Sequence, residues 1–298
     1  MKKPYIYACL TVFIWSTMAA GTKLLLTDIP NLETLAVSGL FAFLSLLLIN
    51  IRTGTVKALG RYSAKDYAIM AGLGFLGLFL YSALYYYGLT QLTSQEACIL
   101  NYLWPIMLVL FSAIILKERI TIGTWVAMLF SFLGVVILSS GSGSAATGMA
   151  PLGVAACVLA AACYGLFSVL NKKADYDQNI TMMVIWLVVA VCSTVLGLAT
   201  EEWVSLTGAH WLGMLWLGVV VDAAAYLLWA LALNGAKHTA SIANLAYLTP
   251  FLSLIVSAVL LQERIRFRAL IALVFIIGGI LLQNFAGYLR RTRATRSH

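Results

Sequence analysis

The sequence of 298 residues is 62% hydrophobic and only 10% charged, with a formal net charge of +8. An ordinary soluble domain has about 25% charged residues, so this chain could not cover a water-facing surface without exposing large apolar patches. Composition therefore excludes a soluble enzyme and predicts an all-α, polytopic membrane protein. The five cysteines stand singly in apolar stretches, which excludes a disulfide scaffold or a zinc ribbon.

Ten apolar segments are long enough to be membrane-spanning helices, because crossing a hydrocarbon core of about 30 Å takes roughly 20 helical residues. Only short stretches separate them. The predicted spans are 5–26, 34–51, 66–87, 93–116, 122–139, 150–171, 180–199, 211–233, 239–262 and 268–289.

The basic residues favour one orientation of these spans. Most of them lie before the first span, after the last span, or in loops on the same side of the membrane, whereas the opposite side has only Arg264, Arg266 and Arg268. The positive-inside rule then predicts that both termini are cytoplasmic. The net positive charge is explained by orientation, so it does not indicate a nucleic-acid partner.

The two halves of the chain share a spaced pattern. Tyr102-Leu103-Trp104-Pro105 precedes Glu118-Arg119-Ile120, and Tyr247-Leu248-Thr249-Pro250 precedes Glu263-Arg264-Ile265 at the same spacing. This agreement predicts an internal repeat.

The repeat predicts one integral membrane domain, 1–298, made of two five-helix halves, 1–140 and 150–298. The Gly/Ser stretch at 141–144 between them is typical of a flexible linker. Because five is an odd number of spans, the second half must be inverted relative to the first, as in many carriers, around a central cavity.

Pro105 and Pro250 are predicted to break their helices. A proline lacks an N–H, so the carbonyls of Asn101 and Ala246 lose their helical partners. Such carbonyls are tolerated in a membrane only when buried in protein or facing a watery cavity. The equivalent breaks point to a central site, although two kinks that only shape packing remain an alternative.

Several of these strings resemble a known family. The paired pattern of Pro, Glu-Arg and a Gly-containing helix is similar to the EamA-type members of the drug/metabolite transporter superfamily. Trp15-Ser16-Thr17-Met18, Asn101-Tyr102-Leu103-Trp104-Pro105, Asn171-Lys172 and Tyr247-Leu248-Thr249-Pro250 further resemble its bacterial aromatic amino acid exporters. The resemblance implies ten helices, a basket-like cavity and export of amino acids across the inner membrane.

Asp222 falls at the middle of the eighth span, where an acidic side chain costs roughly 2.5–3.5 kcal/mol on insertion scales. We expect it to face the interior. Tyr226 and Trp229 follow on the same helical face. A substrate ammonium group or a transported proton would suit this carboxylate, and a purely structural carboxylate is the alternative.

Aromatic residues near mid-span are predicted to line the cavity, where ring faces would stack on an aromatic ligand or attract an ammonium group. Tyr81 and Tyr85 have the same spacing as Asp222 and Tyr226. Packing is the alternative role, and Tyr86, Tyr87, Trp203 and Trp211 near span ends are assigned to interfacial belts. The predicted substrate-binding residues are Trp15, Tyr81, Asn101, Tyr102, Trp104, Tyr164, Asp222, Tyr226 and Tyr247.

The charged residues at span ends are expected to be structural. Lys23 and Glu96 lie near the outer ends of their spans, where snorkelling makes a charge cheap. Glu118-Arg119 and Glu263-Arg264 are expected to form terminal ion pairs or interface anchors.

No motif for a catalytic site, cofactor or metal stands out. The stretch Gly72–Gly77 satisfies a dinucleotide-binding pattern, but it lies inside a span with no preceding strand. The three histidines lie in loops or in the tail. We therefore expect neither a cofactor nor a metal.

The sequence favours a secondary transporter for a small molecule in the lipid bilayer, exporting amino acids, aromatic or other bulky neutral ones, and related metabolites by alternating access. A carrier of another small metabolite or drug is the alternative in the same class. An intramembrane enzyme and a membrane receptor subunit are alternatives in other classes. The short loops argue against an elaborate assembly, and a monomer is compatible with them.

Overall fold

The computed structural model describes residues 3–117, 122–139, 151–174, 176–234 and 244–296, and this part of the chain is helical with no β-strand. The α-helices are α1 (Lys3–Ser16), α2 (Met18–Leu25), α3 (Asn31–Thr53), α4 (Ala64–Gly74), α5 (Tyr81–Gln91), α6 (Ser94–Asn101), α7 (Trp104–Ile115), α8 (Ile122–Ser139), α9 (Pro151–Ala174), α10 (Gln178–Thr200), α11 (Gly208–Leu215), α12 (Ala225–Asn234), α13 (Thr249–Leu260) and α14 (Phe267–Arg296). The all-α prediction is confirmed.

Within the described residues, seven helical stretches are long and apolar enough to cross a membrane. They are Lys3–Leu25, Asn31–Thr53, Ala64–Gln91, Ser94–Ile115, Pro151–Ala174, Gln178–Thr200 and Gly208–Trp229. Shorter apolar helices, Met128–Ile137, Thr249–Leu260 and Phe267–Leu282, occupy the remaining predicted positions. The polytopic membrane prediction is confirmed, and the full count of ten spans stays a prediction.

Large apolar side chains on the outside of the bundle suit a lipid environment. Phe13, Leu48, Val195 and Leu198 are each about half exposed or more, whereas small residues such as Ala160 are fully buried between helices. Without water outside, helices associate by close packing and internal polar contacts. Exposed leucines and buried small residues are the expected consequence.

Two of the long stretches contain π-helical turns. Phe75–Leu80 joins α4 to α5, and Trp216–Ala224 joins α11 to α12. A π turn inserts an extra residue into the helix, so side chains beyond it rotate relative to those before it. Each π segment has a buried face, which includes Leu78 in the first and Asp222 in the second, and π turns are frequent at functional sites.

The chain is also irregular around the two prolines. α6 ends at Asn101 and α7 begins at Trp104, directly before Pro105. A 3₁₀ turn, Asn244–Leu248, precedes α13, whose second residue is Pro250. The helices that start at these prolines end beside Lys117 and Gln262, which both have a left-handed φ of 55°.

The first five predicted spans pack against the last five along several interfaces. α3 lies against α10 and against the Trp216–Ala224 segment, α5 and α7 lie against α9, and α1 lies against α12. α8 packs along α14. The interfaces between α1, α5, α7, α9 and α12 bring the predicted site residues to the centre.

Candidate functional site

Aromatic rings from both halves meet at the centre of the bundle. The Tyr164 ring lies 5.2 Å from that of Tyr81 and 5.3 Å from that of Trp104, measured between centroids. Tyr81 also stacks on Tyr85 with an interplanar angle of 4°. Edge-on and offset contacts of this kind are favourable. They also leave ring faces available to a ligand once the rings separate.

A second aromatic group adjoins the first. Trp15 contacts Tyr226 and Trp229, each at a centroid distance of 5.4 Å. The Tyr226 and Tyr164 hydroxyls lie beside each other, which connects the two groups. Trp15, Trp104, Tyr164 and Tyr226 keep partial exposure.

Asn101 brings an unpaired acceptor to this centre. Its Nδ2 atom donates to the Tyr81 hydroxyl over 3.0 Å. Its Oδ1 atom is buried and has no hydrogen-bond partner in the part of the chain that the structure describes. A buried amide oxygen is costly to leave unpaired. Asn101 is therefore suited to receive a donor from a ligand or a water molecule.

The carbonyl predicted to be freed by Pro250 lies next to the other helix break. The Tyr102 hydroxyl donates to the Ala246 carbonyl oxygen at 3.4 Å, near the upper limit for a hydrogen bond. The two irregular segments are thus in direct contact. Such a long bond is easily exchanged for a bond to a ligand.

Asp222 lies inside the π segment Trp216–Ala224 and is only 6% exposed. Its carboxylate interacts electrostatically with the phenols of Tyr81, Tyr86 and Tyr226. No cation pairs with it among the described residues. A buried carboxylate without a cationic partner is costly, so Asp222 is suited to bind a cationic group or a proton.

The structure thus brings together eight of the nine predicted substrate-binding residues. The ninth, Tyr247, has its backbone in the 3₁₀ turn Asn244–Leu248, but its side chain lies outside the described part. Glu118-Arg119-Ile120 and the linker 141–144 also lie outside the described residues.

The assignment of Tyr86 to an interfacial belt is wrong. Tyr86 is 2% exposed and its phenol lies beside Asp222, Thr22 and Ser38. The reason is that the helix continues to Gln91 instead of ending near residue 87, which places Tyr86 more than a turn inside the bundle. The residue one helical turn before it is Ser82, so no aromatic pair at this spacing marks Tyr86 in the sequence.

The central cavity expected from the sequence stays a prediction, and two cavities of the described part lie elsewhere. One cavity of about 390 Å³ is bordered by Ile69, Gly72 and Lys173, and another of about 340 Å³ is bordered by Tyr5 and Cys9. Neither borders the aromatic cluster. Aromatic side chains from the two halves contact each other across the centre instead.

The family model of the EamA-like transporters matches residues 2–140 and 151–285. The chain belongs to the EamA-like transporter family. This EamA-like chain is therefore a membrane transporter. Membership of the family implies a small-molecule substrate and a lipid environment.

Several relatives resemble this EamA-like protein over most of its length. An aromatic amino acid exporter, YddG, from Ancylobacter novellus is 26% identical, covering 81% of this chain and 83% of the relative. Uncharacterized transporters from Archaeoglobus fulgidus and Clostridium kluyveri are 28% and 23% identical and cover 95% of this chain. These matches cover 98% of the Archaeoglobus fulgidus protein and 93% of the Clostridium kluyveri protein.

A solved crystal structure has the same fold as this EamA-like chain. The two superpose with a TM-score of 0.68 at 23% identity, covering 96% of this chain and 98% of the other. The fold is therefore shared along nearly the whole length.

Proposed function

We propose that this protein is an inner-membrane secondary transporter that exports amino acids, aromatic or other bulky neutral ones, by alternating access. One observation carries the proposal. A buried carboxylate without a cationic partner among the described residues, Asp222, lies with the unpaired Asn101 oxygen among aromatic rings where the two halves meet.

These groups complement the two ends of an amino acid. The ammonium group needs fixed acceptors, since desolvating an isolated charge is expensive, and Asp222 and Asn101 Oδ1 are such acceptors. The side chain needs an apolar wall, and the ring faces of Trp15, Trp104 and Tyr164 supply one. The name of the relative from Ancylobacter novellus supports this substrate class.

Alternating access follows from the arrangement we propose for the halves. The family model matches two separate segments, 2–140 and 151–285, and Pro105 and Pro250 each begin a helix after an irregular turn. These features support two inverted five-helix units that rock about the centre. The contact between Tyr102 and Ala246 would break and re-form during such rocking.

Trp104→Ala is expected to lower phenylalanine counterflow in proteoliposomes roughly tenfold, because the variant loses an aromatic wall at the site. Counterflow should be measured against a panel of amino acids, nucleotide sugars and cationic drugs. Trp125→Ala is the matched control, since Trp125 is 54% exposed on the outside of α8.

The panel separates the proposed substrate from its alternatives. Threonine, methionine and phenylalanine counterflow lost in Trp104→Ala and kept in Trp125→Ala would support amino acid export. A preference for sugars or quaternary cations that is indifferent to Trp104 would contradict the amino acid assignment. No flux of any compound would instead favour a receptor subunit.

We also propose that both termini are cytoplasmic. A fluorescent protein fused after His298 should fluoresce, and alkaline phosphatase fused there should be inactive, because the basic residues concentrate on that side. A fusion in the loop at 201–207 is the control and should give the opposite pair of results. Active phosphatase after His298 would contradict the orientation.

A further inference from the structure

Four buried hydroxyl groups line one seam of the bundle. Helices α2, α6 and α13 pack against one another in this seam. Each of the four side chains is at most 4% exposed. They are Thr22 on α2 and Thr249, Ser253 and Ser257 on α13.

These hydroxyls lack the usual partner. A serine or threonine in a helix commonly donates to the carbonyl four residues earlier, and Ser45, Ser168 and Thr194 do so at 2.7 Å. The four seam hydroxyls form no hydrogen bond within the described part of the chain. Three of them nevertheless lie close to another polar side chain: Thr22 is beside the Tyr86 phenol, Thr249 beside the Tyr102 phenol and Ser253 beside the Cys98 thiol.

An unpaired hydroxyl in the interior of a membrane protein is costly unless water or a polar solute binds it. Thr34 and Ser193 are also unpaired among the described residues, but they lie on α3 and α10, away from the seam. In the seam such groups form a row, because Thr249, Ser253 and Ser257 recur every four residues on one face of α13.

The row leads from the candidate site to one end of the bundle. Thr249 lies beside Tyr102, next to the helix break at Asn101. Ser257 lies eight residues further along α13, which is about 12 Å at 1.5 Å per residue. α6 covers a similar length from Asn101 back to Ser94. In the orientation proposed above, this end faces outward.

A carboxylate from the second half closes the outer end. Glu263 accepts hydrogen bonds from the backbone N–H and hydroxyl of Ser94 at 2.8 and 3.0 Å, and from the Gln95 N–H at 3.3 Å. These groups are the free donors at the start of α6, where a negative charge is favourable. Of the two roles expected for Glu263, a terminal ion pair or an interface anchor, these bonds to α6 fit the anchor.

Two further charges hold the same end. Glu96 forms an ion pair with Arg266 at 3.7 Å. Lys23 donates to the carbonyl oxygens of Leu89 at 3.0 Å and of Leu92. The sequence predicts Lys23 near the outer end of its span, and its ammonium group here satisfies carbonyls at the end of α5. Lys23 thereby ties α2 to α5, and Arg266 ties the segment after α13 to α6. Lys23 also interacts electrostatically with Glu263 and Glu96.

We propose that this seam is the closed exit route for the polar end of the substrate, and that Glu263 on the α6 terminus is its outer latch. The inference rests on the proposed transport function and orientation. Opening the latch would admit water between α6 and α13. The unpaired hydroxyls would then bind the ammonium and carboxylate groups of an amino acid in turn as it leaves the site.

Cys98 offers a direct test because its thiol lies beside Ser253 in the seam and is only 6% exposed. A variant that retains Cys98 as its single cysteine is treated, in intact cells, with a membrane-impermeant cationic thiosulfonate. We expect slow labelling in the otherwise unaltered chain. Glu263→Ala should raise the labelling rate about tenfold, since it removes the acceptor of the Ser94 and Gln95 N–H groups that joins α6 to the second half.

The matched control is Glu201→Ala. Glu201 accepts from the backbone N–H groups of Leu32 and Glu33 at the start of α3, at 3.0 to 3.2 Å. Like Glu263, Glu201 belongs to the second half and caps a helix of the first half, but it lies away from the seam. Its removal should therefore leave the labelling rate of Cys98 unchanged. A second control variant retains Cys157 as its single cysteine. Cys157 is fully buried at the contact of α9 with α5, so its labelling would report a general loosening of the helix packing.

The outcomes separate cleanly. A faster labelling rate of Cys98 in Glu263→Ala, but not in Glu201→Ala, supports the exit route. This result does not depend on the identity of the substrate, because the labelling experiment uses no substrate. Three results would overturn the exit route. They are equal labelling rates of Cys98 in Glu263→Ala and Glu201→Ala, an equally faster labelling of Cys157 in Glu263→Ala, and labelling of Cys98 only from the cytoplasmic face in inverted vesicles. Failure of the counterflow panel with a positive labelling result would count against the substrate and not against the route.

Discussion

Asp222→Asn is expected to reduce amino acid counterflow more than tenfold and to raise the melting temperature of the purified protein by a few degrees. The substitution nearly conserves shape and removes the charge. Because the carboxyl group is 6% exposed and has no cationic partner among the described residues, its position at mid-span is unfavourable, and an aspartate there costs about 2.5–3.5 kcal/mol on insertion scales. A residue kept at that cost is expected to serve transport.

The expected fall in counterflow and rise in melting temperature have opposite signs, which distinguishes a role of Asp222 in transport from a purely structural role. If Asp222 were only a structural carboxylate, its replacement would lower stability or leave both quantities unchanged. The control is Asp28→Asn, since the Asp28 side chain is 66% exposed and pairs with His210 at 3.6 Å. If Asp222→Asn shows the same counterflow rate as the wild type and as Asp28→Asn, then Asp222 has no role in substrate binding.

Hydrophobicity alone predicted the helical membrane fold, because a span must satisfy its backbone internally and present about 20 apolar residues. The ninth span shows where such counting is insufficient. The predicted segment 239–262 contains Pro250, and its described helix is only Thr249–Leu260, preceded by a 3₁₀ turn. A helix break shortens the helix without changing its hydropathy.

The candidate site was partly predictable for a similar reason. Asp222 and the mid-span aromatic residues stand out because polar groups are rare in apolar segments. Tyr86 was missed because its span was predicted to end near residue 87, whereas the helix continues to Gln91. The Glu263 cap joins residues 169 positions apart, and no local pattern indicates such a contact.

The close approach of α3 to the π segment explains how Asp222 is held in place. Gly218 lies four residues before Asp222, against the backbone of α3. A methyl group there would overlap the carbonyl oxygen of Ser38 and lie 2.7 Å from Phe41 Cβ and 3.0 Å from Ala42 N. A backbone neighbour cannot rotate aside, so the two helices would have to separate.

Gly218→Ala is therefore expected to be the most damaging of the conservative substitutions considered. Overpacking of this kind costs typically 1–3 kcal/mol, which should lower the melting temperature by several degrees. Transport should be lost as well, because separation from α3 displaces Asp222 from the phenols of Tyr81 and Tyr86. Thermal unfolding in detergent and counterflow in proteoliposomes measure the two effects.

Gly21→Ala is the matched control for this prediction. Nothing lies within 4 Å of a methyl group built at Gly21 in α2. Alanine favours a helix over glycine by roughly 0.8–1 kcal/mol, so this variant should match or exceed the wild-type stability. If Gly218→Ala behaves like Gly21→Ala, then α3 and the π segment do not hold Asp222 by close packing, and the carboxylate must be positioned by its phenol neighbours alone.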